Sequence, residues 1–561
     1  MNLLGKGGDP SFWSTDVREK DCFKSYREFL MKNWCELCEN DRFEAMKYTE
    51  FRLYGLNGNR TVFQKPYYER RVQVETATIL ALIYPDEQKY LDYAMDKIFA
   101  ICNEYCWSIP AHQPRLLEVV NKTHLDLFAC ETAFTLAEIY TLLGDRLDPL
   151  IRELIKAEVE KRVINSFLKT TTWGWEIKNT ANWAAVCGGS VGCTFMLMFP
   201  ERFYEIKPRL DFTMQNFLSG YKDDGFCAEG THYWHYGFGF FCVYADMLRT
   251  FSEGKYNYFE LPKVHSIATF VQKTYLSGIK CVSFSDCGET LTYQIGLLHF
   301  LKKEYPDVVV YSPKYSYIND GCGRFNWLVN AAAWFDEGIY NNPDPDNAEA
   351  EYYGKDTEWL IKRTISYGFA AKAGNNIEPH NHNDIGAFII AKNGKQIVTD
   401  PGPGVYSRQY FSAVTRYEFI ECSSLGHSVP YFGELIQKEG ANYSSTDVKF
   451  ENGIFSMDIA GAYGSEELKS VLRAFSFDET SVTLHDSFDY SGDARITDRI
   501  VLREAPSVIG SAVVCGDLIV SFNKNEAEVK TGSLQTSKNT LLYYADFILK
   551  GDNKEITLKF E

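Results

Sequence analysis

Along the first part of the chain, apolar residues return every three or four positions. The run Val74-Glu75-Thr76-Ala77-Thr78-Ile79-Leu80-Ala81-Leu82-Ile83 shows it, as does the segment from His124 through Leu127, Ala129, Ala133, Leu136, Ala137, Ile139 and Tyr140 to Leu143. This is the period of a helix with a buried face. Breakers such as Gly144-Asp145-Arg146-Leu147-Asp148-Pro149 close each run, as helix stops do. The texture holds from about residue 15 to about 335. Helix pairs repeated over such a length predict an (α/α) toroid or solenoid rather than a bundle, although no clean sequence repeat accompanies them.

From about residue 356 the pattern shortens. Thr364-Ile365-Ser366-Tyr367-Gly368-Phe369-Ala370, Ala387-Phe388-Ile389-Ile390-Ala391 and Lys395-Gln396-Ile397-Val398-Thr399 are strand-like runs between Gly and Asn turns. Asn393-Gly394 between two of them is a strong hairpin signal. Ser481–Phe488 and Glu555–Phe560 carry the same texture to the end, and Asn341-Asn342-Pro343-Asp344-Pro345-Asp346-Asn347 marks a loop near the change. The expected fold class is α+β: an N-terminal (α/α) toroid over residues 1–355, then a C-terminal antiparallel β-sheet domain, β-sandwich-like, over 356–561. A subdivision near 465–480 is left open.

Composition narrows the function. At 561 residues the chain exceeds one ordinary core. A net charge of −17 excludes a general nucleic-acid binder, which needs a basic footprint, but allows an anionic substrate in a cleft lined by a few Arg and Lys. Aromatic residues reach 15%; they suit either a sugar-stacking cleft or core filling between helices. Fifteen cysteines, with a single CxxC spacing at Cys35 and Cys38, read as reduced thiols. No apolar leader follows Met1 and no uncharged apolar run of membrane length occurs, so the expected location is cytoplasmic, or secreted or periplasmic if a leader has been removed. No membrane partner is expected. Oligomeric state is open, a homodimer included.

The chain has ten histidines, and three of them fall in His380, His382 and His427, with Asp400 between. His382, Asp400 and His427 form a good ligand set for a divalent ion such as zinc; pinning strands to one another without metal is the alternative. If His380 and His382 lie on one alternating strand, they face opposite ways, leaving His380 free for other work.

Three motifs together resemble the heparinase II/III-like polysaccharide lyases, a group related to alginate and oligoalginate lyases. The first is His380-Asn381-His382-Asn383-Asp384-Ile385-Gly386-Ala387-Phe388 with Asp400-Pro401-Gly402 and Tyr406. The second is Asp223-Asp224-Gly225-Phe226-Cys227-Ala228-Glu229-Gly230, ending in Thr231-His232-Tyr233-Trp234-His235-Tyr236. The third is Asn179-Thr180-Ala181-Asn182-Trp183. The resemblance implies a toroid packed on β-sheets with a cleft between them. It also implies β-elimination on an acidic poly- or oligosaccharide. It assigns Asn182 to carboxylate neutralisation, His380 to neutralisation or proton abstraction, and Tyr236 or Tyr233 to acid and base work, Tyr236 slightly favoured. Trp183, Glu229, His232, His235, Tyr410 and Tyr417 become substrate-side candidates. His382, Asp400 and His427 match the metal positions, with zinc structural and no organic cofactor.

One departure stands out. Several relatives carry a histidine directly after the asparagine, where this chain has Trp183; either fewer donors serve, or His232 or His235 fills the place. Asn182 also reads as a helix N-cap. Two rival functions remain open. One is an α/α-toroid glycoside hydrolase using Asp224 and Glu229; the other is a non-catalytic carbohydrate-binding homologue.

Overall fold

The computed structural model describes residues 2–39, 45–114, 120–177, 181–346, 348–378 and 380–561. Asn179, Thr180 and Asn347 of the stretches quoted above lie outside these. The chain forms two compact units. One comprises residues 1–220, 233–265 and 293–343; the other comprises 221–232, 266–292 and 344–561.

The first unit is helical. Thr61–Ile83 packs on Gln88–Cys102, and Leu127–Leu143 packs on Ala181–Met198, which also lies against Phe203–Ser219. Small residues let these helices approach. A Cβ at Gly192 would stand 2.5 Å from the Tyr244 ring, and one at Gly237 would stand 3.0 Å from the Asn182 Cα. The Thr231–Phe251 helix can therefore lie directly on Ala181–Met198. Leu127–Arg146 is long and apolar enough to cross a bilayer by composition, but 78% of that window is buried inside the protein. It is a core helix of this unit.

The second unit is antiparallel β. A nine-stranded sheet runs, in spatial order, Ala527–Gln535, Leu541–Leu549, Ile496–Leu502, Lys395–Val398, Phe388–Lys392, Gly368–Lys372, Trp359–Arg363 and Ala350–Gly354, with Pro430–Phe432 also paired to Ile496–Leu502. An eight-stranded sheet is centred on Leu468–Phe477, Val482–Tyr490 and Glu555–Phe560. Burial alternates along Val482–Tyr490, as one buried face requires. Rings of Phe369 and Phe388 meet Phe475 and Phe560 across the core at 5.2 and 5.3 Å. The sandwich expectation holds. So does the hairpin: Asn393 (φ 50°) and Gly394 (φ 74°) both take the left-handed conformation that a two-residue type I′ turn needs. The helical reading of the first part missed Tyr275–Ser277 and Lys280–Cys281, which pair as short strands in the second unit.

Arg473 stitches this core together. It is fully buried and donates to Asp486 at 2.6 Å and Asp498 at 2.7 Å. It also donates to the Gly386 and Ser428 carbonyls, both at 2.8 Å. Those two residues lie beside the His382 and His427 segments, so the ion cluster fixes the backbone on which the histidines sit.

Candidate functional site

In the β unit the histidines converge on a residue with no sequence signal, Asp286. Its carboxylate accepts from His380 Nδ1 at 2.7 Å, His382 Nε2 at 3.0 Å and Arg416 at 3.2 Å, and also from the Tyr410 hydroxyl. Burial alone would push this carboxyl up. Hydrogen bonds from His380 and His382, with the charge of Arg416, outweigh burial and hold it well below the usual carboxylate range. An ionised carboxylate only accepts, so His380 carries its proton on Nδ1 and His382 on Nε2. The remaining lone pairs are then His380 Nε2 and His382 Nδ1.

This corrects the alternating-strand expectation. Residues 380–387 form no strand, and His380 itself is left-handed (φ 58°). Such strain in a non-glycine residue is uncommon and gathers at functional sites. The two imidazoles do not face opposite ways; they grip the two oxygens of one carboxylate.

His382, Asp400 and His427 are buried, and their ligand atoms lie within 4.8 Å of one another. His427 Nε2 is 2.9 Å from the Glu421 carbonyl, so it carries the proton. His427 Nδ1 therefore turns a lone pair toward Asp400 Oδ2, 2.9 Å away. Two acceptors at that distance need a proton or a cation between them. Burial opposes protonation of His427, but the Asp400 charge outweighs it and raises the imidazole's pKa. His382 Nδ1 and Asp384 Oδ2 are buried without a hydrogen-bond partner. Unsatisfied acceptors clustered this way fit a divalent ion, and a carboxylate behind a ligating histidine is the usual means of orienting it.

Tyr410 is a correction. It is completely buried, with its hydroxyl on Asp286 and its ring under the Arg416 guanidinium at 4.6 Å; it supports the cluster rather than facing a substrate. Tyr417 is half-buried. His232 is exposed, its Nδ1 3.7 Å from the Cys287 thiol. Glu229 is buried. Asp224 is filled: it accepts from the backbone N–H groups of Phe226, Asp356 and Thr357 and from the Thr357 hydroxyl.

In the helical unit, Asn182 is buried in the first turn of Ala181–Met198, and the half-buried Trp183 follows it. The Tyr236 hydroxyl donates to Glu131, and the Arg324 guanidinium lies over the Tyr236 ring at 4.0 Å and 3.3 Å from Glu131. Burial, with the Glu131 charge added, pushes the Tyr236 phenol well above its usual range. Tyr233, one turn earlier, is half-buried. His235 is buried between the Trp234 and Tyr317 rings. Beside Trp183 stands a histidine the sequence did not flag. The His112 ring lies 4.8 Å from it.

A heparan sulfate lyase HepC mutant from Pedobacter heparinus superposes with a TM-score of 0.63, at 12% identity, covering 98% of this chain and 85% of that one. The fold is that of the heparinase III lyases. Heparinase III itself gives 0.61 at 13% identity, covering 89% of this chain and 77% of that one. The Streptomyces coelicolor A3 chondroitin AC lyase in complex with chondroitin sulphate gives 0.55 at 10% identity, covering 96% and 82%. No protein-family model and no curated protein matches the sequence. The likeness bears out the expected toroid-plus-sheet fold.

Proposed function

We propose that the protein is a lyase that cleaves a uronate-containing acidic glycan by β-elimination. The observation that carries this reading is the Asp286–His380 pair, a buried carboxylate that holds the imidazole at Nδ1 and so makes Nε2 the nitrogen that would act as a base. The heparinase III and chondroitin lyase fold adds support.

The reaction needs three services. Donors must neutralise the C6 carboxylate so that the C5 proton becomes acidic. A base must remove that proton, and an acid must protonate the departing C4 oxygen. The C5–H electron pair becomes the C4–C5 double bond as the C4–O bond breaks. In the β unit, His380 Nε2 suits the base. In the helical unit, the Asn182 amide suits the carboxylate. The Tyr236 phenol, which burial and Glu131 keep protonated, suits the acid, and Tyr233 on the same helical face is the second candidate. A divalent ion, zinc by donor type, would be held by His382, Asp400 and His427 and would serve to fix the loops that carry His380.

The hydrolase reading is weaker, because Asp224 is already engaged by four hydrogen bonds from its own surroundings. Incubation with heparan-, chondroitin- and alginate-type oligosaccharides tests the proposal. A lyase yields the ultraviolet absorbance of an unsaturated uronate with at least one of them. Cleavage without that absorbance would defeat it.

A further inference from the structure

The helical unit contains a second carboxylate–imidazole pair. Asp126 caps the Leu127–Leu143 helix through Oδ1, accepting from the Ala129 N–H at 2.8 Å. Its Oδ2 accepts from the Ile109 N–H at 3.2 Å and from His112 Nδ1 at 2.8 Å. Asp126 is fully buried, and the Ala129 and Ile109 N–H groups hold it independently of His112. The His112 ring is stacked on Phe128 (5.8 Å, 15° between planes) and lies against Trp183 at 4.8 Å. Its side chain keeps 14% exposure. No hydrogen bond to its Nε2 occurs among the described residues. An aromatic wall on each side and a buried anion behind leave one direction in which the imidazole can act.

Trp183 directly follows Asn182, at the position where several relatives of the group it resembles carry a histidine. The tryptophan does not leave that neighbourhood without an imidazole; it packs against one supplied by a different loop. We propose that His112, held at Nδ1 by Asp126, binds the uronate carboxylate through Nε2–H beside the Asn182 amide, the ring taking up a proton as the second carboxylate arrives. This rests on the β-elimination reading and extends it by naming the second carboxylate donor. A histidine between two carboxylates donates from both nitrogens, and such charge-assisted bonds are the strong ones. The titratable groups around it among the described residues are Asp126 and His124, whose imidazole burial keeps less basic than usual.

The test compares the wild-type protein with His112→Gln and His112→Ala. The probe is a tetrasaccharide of alternating glucuronate and N-acetylglucosamine, together with its carboxyl-reduced counterpart carrying glucose. Binding by calorimetry is measured beside turnover, and thermal melting checks that each variant folds. The wild type is expected to prefer the carboxylate form. Loss of one charge-assisted bond should weaken that preference by about tenfold to a hundredfold in the variants, raising KM, with affinity for the reduced sugar unchanged. An unchanged preference would overturn the inference. A lower kcat with an unaltered preference for the carboxylate form would overturn it as well, since that pattern marks a group that acts on the proton rather than on the carboxylate. Carboxylate preference without turnover would leave His112 as the anion donor and count against elimination on this glycan. Neither binding nor turnover would overturn the inference.

Discussion

Asp286 Oδ2 lies 2.7 Å from His380 Nδ1, while Oδ1 of the same carboxylate lies 3.0 Å from His382 Nε2. One buried anion thereby sets the tautomer of both the proposed base and a proposed metal ligand. Asp286→Asn can keep the shape of this contact but can present an N–H where an acceptor is needed. Turnover is expected to fall by about ten- to a hundredfold or more, and metal content to fall with it. Wild-type turnover in Asp286→Asn, with full metal content, would remove Asp286 from the account.

The same carboxylate makes a prediction about acid stability. Its folded pKa lies well below its ordinary 3.8. Its contribution is therefore present above about pH 4 and is lost as pH falls through the lower folded value. Denaturant titrations from about pH 5 down to pH 2 should show a shallower loss of stability in Asp286→Asn than in the wild type. Parallel curves would mean that the carboxylate is not held ionised.

Removing Tyr236's hydroxyl separates acid chemistry from packing. Tyr236→Phe keeps the ring under Arg324 and is expected to lower kcat by about a hundred- to ten-thousandfold with little change in melting temperature. If Tyr233→Phe alone carries that loss, the acid is the earlier tyrosine.

Metal and activity should come apart by residue. Chelation, or His382→Ala, is expected to lower both bound metal and melting temperature, because the cluster's buried acceptors are then left facing one another. His380→Ala should keep the metal and lose turnover. Elemental analysis beside melting curves reads this directly; a His380→Ala protein with full turnover would contradict the assignment.

Arg473→Met leaves Asp486 and Asp498 buried without their cation. A loss of about 3–5 kcal/mol is expected, measured as a shift of the denaturant midpoint. A shift near zero would show that the two carboxyls find other partners.

Local patterns carried much of this into the sequence. The Asn393-Gly394 hairpin was legible because only residues tolerant of positive φ fit a type I′ turn. That His382, Asp400 and His427 come together was legible from their residue types and spacing. Asp286 was not. It reaches His380 across 94 residues of chain, from an irregular segment with neither periodicity nor motif around it. His112 was hidden for the same reason, since only folding sets its loop beside Trp183. Tyr410 misled because a tyrosine near a histidine motif reads equally well as a substrate contact or as a buried donor, and burial decides. The strand alternation expected of His380 and His382 failed where the left-handed His380 breaks the extended chain.

The most direct test of β-elimination is cleavage in heavy-oxygen water followed by mass spectrometry of the products. Elimination adds no water, so the product masses sum to that of the substrate, no label enters, and one fragment carries the unsaturated uronate. A labelled oxygen at the cleaved bond would mean hydrolysis and would contradict the account.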